Sequence, residues 1–233
     1  MTSNVSENVE LIVARYNEDL KWTLEHPFNM FKYIVYNKGI NEDFEKTHVI
    51  QVIHLPNIGR EGHTYLHHII EHYDNLSNIL VCFPGSVDLP HKKAKAARIL
   101  NNIIKSDYKK AYFLGNQVQS ILKHFSEFKL NNYTVSHSQN LTINNENKLD
   151  LCKYRPYGKW YKYFFGNSRA KWHTFCGTFS VDKRDIIKHP KNRYNILLQT
   201  LTTSSNPEAG HYIERTWGAI FGPLIYTEKV QHN

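Results

Sequence analysis

The sequence predicts one α/β domain: a mostly parallel central sheet with helices on its faces. Three observations carry this. Short apolar runs rich in β-branched residues recur through the first half, at Val9–Ala14, Phe31–Tyr36, His48–Leu55 and Ile79–Phe83. They are continuous rather than alternating, as strands covered on both faces are. Segments of helical period lie between or after them, and the 233 residues, 41% hydrophobic and 21% charged, suffice for one sizeable core.

The elements follow in chain order. Met1–Asn8 is polar and reads as a disordered N-terminus. Val9–Ala14 (VELIVA) is a buried strand, and Arg15-Tyr16-Asn17-Glu18-Asp19 breaks it sharply, with Asp19 suited to cap a short helix through Leu24. Phe31–Tyr36 is a second strand, closed by the turn Asn37-Lys38-Gly39. After the third strand, Pro56–Gly59 turns the chain into a helix whose Tyr65, Leu66, Ile69, Ile70 and Tyr73 share one face. His68 and His72 flank that stripe on the solvated side. Ile79–Phe83 is a fourth strand, Pro84–Asp88 a loop at its carboxyl end, and Pro90 opens a helix to about Ile104.

Residues from about Ser126 to Tyr157 lack periodicity and read as an irregular insertion. Trp172–Val181 reads as strand, glycine, strand. Helices follow at Asp182–Ile187, Tyr194–Leu201 and Gly210–Phe221, the last with Ile213, Trp217 and Ile220 on one side and Glu214 and Arg215 set apart. Residues 227–233 read as a tail. There is no internal repeat and no clear linker.

Bulk properties narrow the function. No apolar run reaches the ~20 residues of a membrane-spanning helix, and the N-terminus lacks a signal-peptide layout. A cytoplasmic protein is expected. Cys82, Cys152 and Cys176 are too widely spaced for a zinc pair and read as reduced, Cys176 as a small core residue. The net charge of +8, from 29 basic and 21 acidic residues, favours a polyanionic partner. No RNA-binding or helix-turn-helix signature is present, so no specific nucleic acid is expected.

Gly59–His72 holds an H-x-x-E-H pattern, His68, Glu71 and His72, as in inverted zinc peptidases. On a helix, His68 and His72 face the same way and could share a metal. The pattern is short, the chain has 14 histidines, and no third ligand is evident, so a zinc hydrolase is the lesser alternative.

VARYNEDLKW (Val13–Trp22), IVYNKG (Ile34–Gly39), NIGREGHTYLHHII (Asn57–Ile70), YDNL (Tyr73–Leu76), FCGTFSV (Phe175–Val181) and YIERTWGAIFG (Tyr212–Gly222) together resemble an uncharacterised domain family of fungi, bacteria and large DNA viruses, DUF3431. That family is similar to nucleotide-sugar glycosyltransferases of the GT-A type. The resemblance spans about residues 9 to 226. It implies a Rossmann-like sheet, a donor-binding part over about 9–125 and an acceptor-binding part over about 126–226. It further implies sugar transfer from a nucleotide-diphosphate donor to a glycan or other hydroxyl acceptor, in the host cytoplasm if the chain is viral.

GT-A enzymes usually carry an acid pair after a central strand that holds Mn²⁺ or Mg²⁺. Here Ser86 stands where one acid is expected and Asp88 remains, with His91 nearby. Asp88 and His91 are thus the implied metal residues. Arg15, Asn17, Asp19 and Asn37 follow strands where a nucleotide would sit, and Lys38 and Arg60 suit its phosphates. Glu214 is the candidate base or acceptor-binding acid, with Asp182, which also suits a helix N-cap, as a second. The Ser86 departure keeps open a non-catalytic module that only binds a nucleotide or glycan.

Overall fold

A computed structural model describes residues 8–133, 137–141 and 148–230. The N-terminus read as disordered lies, apart from Asn8, outside them, as do residues 231–233.

Five strands form the main sheet: β1 (Val9–Arg15), β2 (Tyr33–Asn37), β3 (Val49–His54), β4 (Ile79–Pro84) and β7 (Phe179–Asp182), in the order β3-β2-β1-β4-β7. β1, β2, β3 and β4 run parallel, and β7 closes the β4 edge antiparallel. The fold is α/β with a mostly parallel sheet, as the unbroken apolar runs predict.

Their cause is visible in β1, where alternate residues enter two cores. Ile12 and Ala14 pack with Tyr65, Leu66 and Ile69 of α1 (Arg60–Glu71) and with Ile213 and Trp217 of α8 (Glu208–Ile220). Leu11 and Val13 pack on the opposite face with Trp22, Phe28 and the Ile99, Leu100 and Ile103 stripe of α2 (Pro90–Lys105). The predicted helix near Asp19–Leu24 is one turn of 3-10 helix, Lys21–Leu24.

Three shorter strands make a second sheet, β6-β5-β8, from β5 (Phe113–Gln117), β6 (Trp172–His173) and β8 (Thr227–Lys229). One expectation is sharpened here and another changes. Trp172–Val181 is strand, glycine, strand as predicted, but its two strands join different sheets, β6 pairing with β5 and β7 with β4. Part of the predicted tail forms β8, whose Glu228 pairs with Arg98 and accepts from Asn102 on α2. The remaining α-helices among the described residues are α3 (Ile121–His124), α4 (Ser138–Leu141), α5 (Tyr157–Phe165), α6 (Lys183–Ile187) and α7 (Lys191–Gln199). No helix among the described residues is long and apolar enough to cross a membrane.

α8 lies backbone to backbone on β6. A Cβ at Gly218 would sit 1.9 Å from the carbonyl oxygen of Trp172. Alanine gains about 1 kcal/mol of helix propensity over glycine, but here the two main chains must part. Gly218→Ala is expected to lose about 1–3 kcal/mol net, read as a lower urea midpoint. An unchanged or higher midpoint would show that α8 and β6 do not pack this closely.

The histidine-rich helix α1 also departs from expectation. His68 is fully buried rather than on the solvated side. Its Nδ1 meets the Tyr36 hydroxyl at 2.8 Å and its Nε2 lies 3.2 Å from Glu10 Oε2, both groups rising from the sheet beneath. Glu71 is exposed, so the H-x-x-E-H residues do not share one face.

Candidate functional site

Strand order reverses at β1: β2 and β3 lie on one side and β4 on the other. In open α/β sheets ligands bind beyond the carboxyl ends of strands at such a reversal. A cavity of about 360 Å³ opens there, over Ala14 and Arg15 of β1, Pro84 at the end of β4 and Ser86 just beyond it. Its walls come from the starts of α1 (Arg60, Glu61) and α2 (His91, Lys92), from α8 (His211, Glu214, Arg215), and from Tyr133, His137 and Cys176.

Arg15 is fully buried. Its guanidinium donates to the Glu18 carbonyl (2.7 Å), Asn37 Oδ1 (2.7 Å) and the Asn41 carbonyl (2.6 Å), tying the loops after β1 and β2 together. Burial lowers its pKa, and nearby carboxylates, Glu18 first, oppose that. Glu18, which sequence reasoning passed over, organises the first loop. One carboxylate oxygen accepts from the N–H groups of Tyr16 (2.8 Å) and Asn17 (3.1 Å), and the other from Asn140 (3.0 Å). A Cβ on Gly85 would stand 2.6 Å from that carboxylate, so the loop after β4 needs glycine to approach it. The available signal was an acid three residues past the end of an apolar strand.

Lys38 is buried, and its ammonium donates to the carbonyls of Ile58 and Arg60, both at 2.5 Å. Burial brings its pKa down to about 7. It pins the turn that leads into α1, where Gly59 and Arg60 both have positive φ. Arg60 is thereby held with its guanidinium over the Tyr133 ring, 4.5 Å from the centroid, bonded to the Tyr133 hydroxyl (3.0 Å) and Asn206 Oδ1 (3.3 Å).

Two carboxylates share the wall with these cations. Arg60 Nε is 3.6 Å from Glu61 Oε2, and Arg215 Nη1 is 3.4 Å from Glu214 Oε2. Burial and the charge of Glu61 raise the Glu214 carboxyl above its ordinary pKa, against the pull of Arg215 and Arg60. Burial also works to raise Glu61, but Arg60, its own backbone N–H, Lys92 and His211 outweigh it and hold that carboxyl low. Like charges at one site divide a pair of acids in this way. The Cys176 N–H donates to Glu214 Oε1 at 2.6 Å from a left-handed backbone, φ 68. That loop is fixed by Tyr65, which donates to the Gly177 carbonyl (2.8 Å), and by Lys95 of α2, which donates to the Phe175 carbonyl (3.0 Å). The Cys176 thiol is held up by burial and then by Glu214, which disfavours the thiolate.

Of the sequence-predicted residues, Arg15, Lys38, Arg60, His91 and Glu214 reach the cavity wall. Asn37 is buried beneath it, joining Arg15 to Glu42. Asn17 bonds the Gln139 carbonyl and Asn41, while Asp19 accepts from the Lys21 N–H. Neither Asn17 nor Asp19 lines the cavity. Asp182 lies beside Ile79, at the amino end of β4 and the opposite end of the sheet. There it caps α6 through the Arg184 N–H (2.9 Å) and pairs with the Arg184 guanidinium.

The residues implied for a metal do not fit one. Both Asp88 oxygens lie 2.9 Å from His137 Nε2, and Asp88 is not on the cavity wall. Ser86 Oγ accepts from the Lys92 ammonium at 2.7 Å, a cation beside the position where a metal-binding acid is implied. Among the described residues no three His, Cys, Asp or Glu side chains converge as metal ligands. Hard divalent cations need several oxygen ligands.

Lys92 and Arg215 were missed because each is an ordinary charge in the sequence, and Glu61 stands out there only as an acid suited to a helix start. Only the folding of α1, α2 and α8 onto one strand reversal brings them together. No curated protein and no solved structure gives a significant match to the chain. The family described as protein of unknown function, DUF3431, matches residues 11–232, nearly the whole chain, and the protein belongs to that family.

Proposed function

We propose that the protein is a glycosyltransferase that moves a sugar from a nucleotide-diphosphate donor to a glycan or other hydroxyl acceptor in the cytoplasm. The observation that supports this most is the cavity at the strand reversal, walled by Arg60, Lys92 and Arg215 together with the Glu61–Glu214 pair. Cations suit a diphosphate, and a carboxylate with raised proton affinity suits an acceptor hydroxyl.

In this reading the acceptor oxygen attacks the anomeric carbon as its proton passes to Glu214. The bond from that carbon to the donor phosphate breaks, and its electron pair leaves with the diphosphate. Arg60 and Arg215 stabilise the charge that builds there. Glu61, kept ionised, raises the proton affinity of Glu214.

A thermal-shift panel of nucleotides and nucleotide sugars, with and without Mn²⁺, tests this. One donor is expected to stabilise the protein selectively, by about 2.7 kcal/mol at a hundred times its Kd. A broad panel with no binder would refute the reading. A donor that binds but is never consumed, with any acceptor hydroxyl offered, would favour the non-catalytic module, the alternative that Ser86 beside Lys92 supports.

A further inference from the structure

We infer that this cavity neutralises its diphosphate with protein cations alone, Lys92 taking, together with Arg60 and Arg215, the part that a divalent metal has in the enzymes the sequence resembles. The inference rests on the nucleotide-sugar reading for its ligand and goes beyond it in assigning the charge compensation.

Four observations carry it. The segment after β4 offers Ser86 and Asp88; Ser86 holds the Lys92 ammonium at 2.7 Å, and Asp88 is turned onto His137. A metal placed among these groups would meet a fixed like charge. Second, Lys92 bonds a neutral hydroxyl there rather than a carboxylate, so its charge is open to a ligand anion. It stands in the first turn of α2, and Arg60 opens α1, so both cations sit at helix amino ends, which themselves favour anions.

Third, the site holds donors that lack acceptors. Arg215 Nε is buried with no hydrogen-bond partner among the described residues, although the side chain lines the cavity. Arg15, fully buried below, has its Nη2 in the same condition. Both atoms are buried out of a ligand's direct reach, so they show that the protein's own acceptors leave each guanidinium incompletely bonded at the site. Fourth, the three cations are braced before any ligand arrives. Arg60 lies on Tyr133, and Arg215 lies over Phe128 at 3.8 Å while donating to the His211 carbonyl at 2.8 Å. Lys92 is held by Ser86. Preorganised charges stabilise a leaving anion without further rearrangement.

The experiment measures binding of inorganic pyrophosphate, nucleoside diphosphates and nucleotide sugars by calorimetry, once with EDTA and once with Mn²⁺ or Mg²⁺. Pyrophosphate and at least one nucleoside diphosphate are expected to bind equally well in both conditions. Lys92→Gln is expected to weaken that binding roughly 10- to 100-fold, the loss of one charged hydrogen bond. Lys93→Gln is the control for general charge, since Lys93 pairs with Glu25 and is not on the cavity wall. It should leave binding within about twofold, because an exposed pair contributes little.

Binding that appears only with a divalent cation overturns the inference and leaves the glycosyltransferase reading standing. Metal-free pyrophosphate binding that depends on Lys92, with no nucleotide sugar bound, sustains the inference and overturns that reading. Equal binding by Lys92→Gln and the parent, or equal losses in Lys92→Gln and Lys93→Gln, overturns the role of Lys92. No diphosphate bound in either condition overturns both.

Discussion

Glu214→Gln is expected to bind the sugar donor as the parent does and to turn it over roughly 10²- to 10⁴-fold more slowly, the usual contribution of a positioned general base. Glutamine keeps the shape and can still accept the Cys176 N–H, so the loop that Glu214 holds at 2.6 Å stays in place. What it loses is the capacity to take a proton. Donor binding by thermal shift and sugar transfer by product release separate the two roles. If Glu214→Gln transfers sugar at the parent rate, the carboxylate is not the base. Glu61→Gln supplies a second readout. The charge of Glu61 helps to raise the Glu214 carboxyl, so its removal lowers that pKa. The acid limb of the pH–rate profile should then move to lower pH. No movement would mean that the pair does not act together.

Stability is expected to fall steeply as the pH drops below about 6.5, the pKa of histidine in an unfolded chain. Burial holds His63 and His211 down to about 3 and His173 to about 4, aided by Lys38 at His63, Arg60 at His211 and His124 at His173. Between those values and about 6.5 the unfolded chain binds protons that the folded chain refuses, so acid favours unfolding. Each such histidine costs up to about 1.4 kcal/mol per pH unit once well below 6.5. Urea midpoints at about pH 7 and pH 5.5 measure the effect, and replacing His211 with glutamine should flatten it. A midpoint that does not fall would show these rings to be protonated in the fold. Lys38 has the same sign in a higher window. Its pKa of about 7 lies below that of an unfolded lysine, so stability rises with pH from about 7 to about 10.

The core of the sheet was legible because burial on both faces leaves an unbroken apolar signature. Val9–Ala14 and Ile79–Phe83 correspond to β1 and β4 within a residue or two. The α1 face was equally plain, since Tyr65, Leu66, Ile69 and Ile70 are all buried. The second sheet was not legible. β6 has two residues and β8 three, too few to show a period, and both are defined by pairing with a distant β5. Helix α5 was hidden because its aromatics, Tyr157, Trp160 and Tyr161, follow a polar stretch of no period. His68 misled for another reason. Histidine reads as surface polarity, but its burial depends on Tyr36 and Glu10, which lie far away in sequence. At the site, Arg15, Lys38 and Arg60 could be singled out from their places after strands and at a helix start. Their division into a buried tie, a turn clamp and a cavity cation depends on partners that only the fold supplies.

The antiparallel closure by β7 also bears on how the protein is made. β4 leaves the ribosome roughly a hundred residues before its edge partner, an interval of about 5–20 s at ordinary elongation rates. Until then the apolar strand Ile79–Pro84 has an open side, the kind of edge that recruits other chains. The cavity at the strand reversal waits longer still, because its wall draws on residues from Ala14 to Arg215. A nascent chain halted before α8 therefore carries the loops after β1, β2 and β4 without Glu214, so the cavity is complete only once α8 has been made.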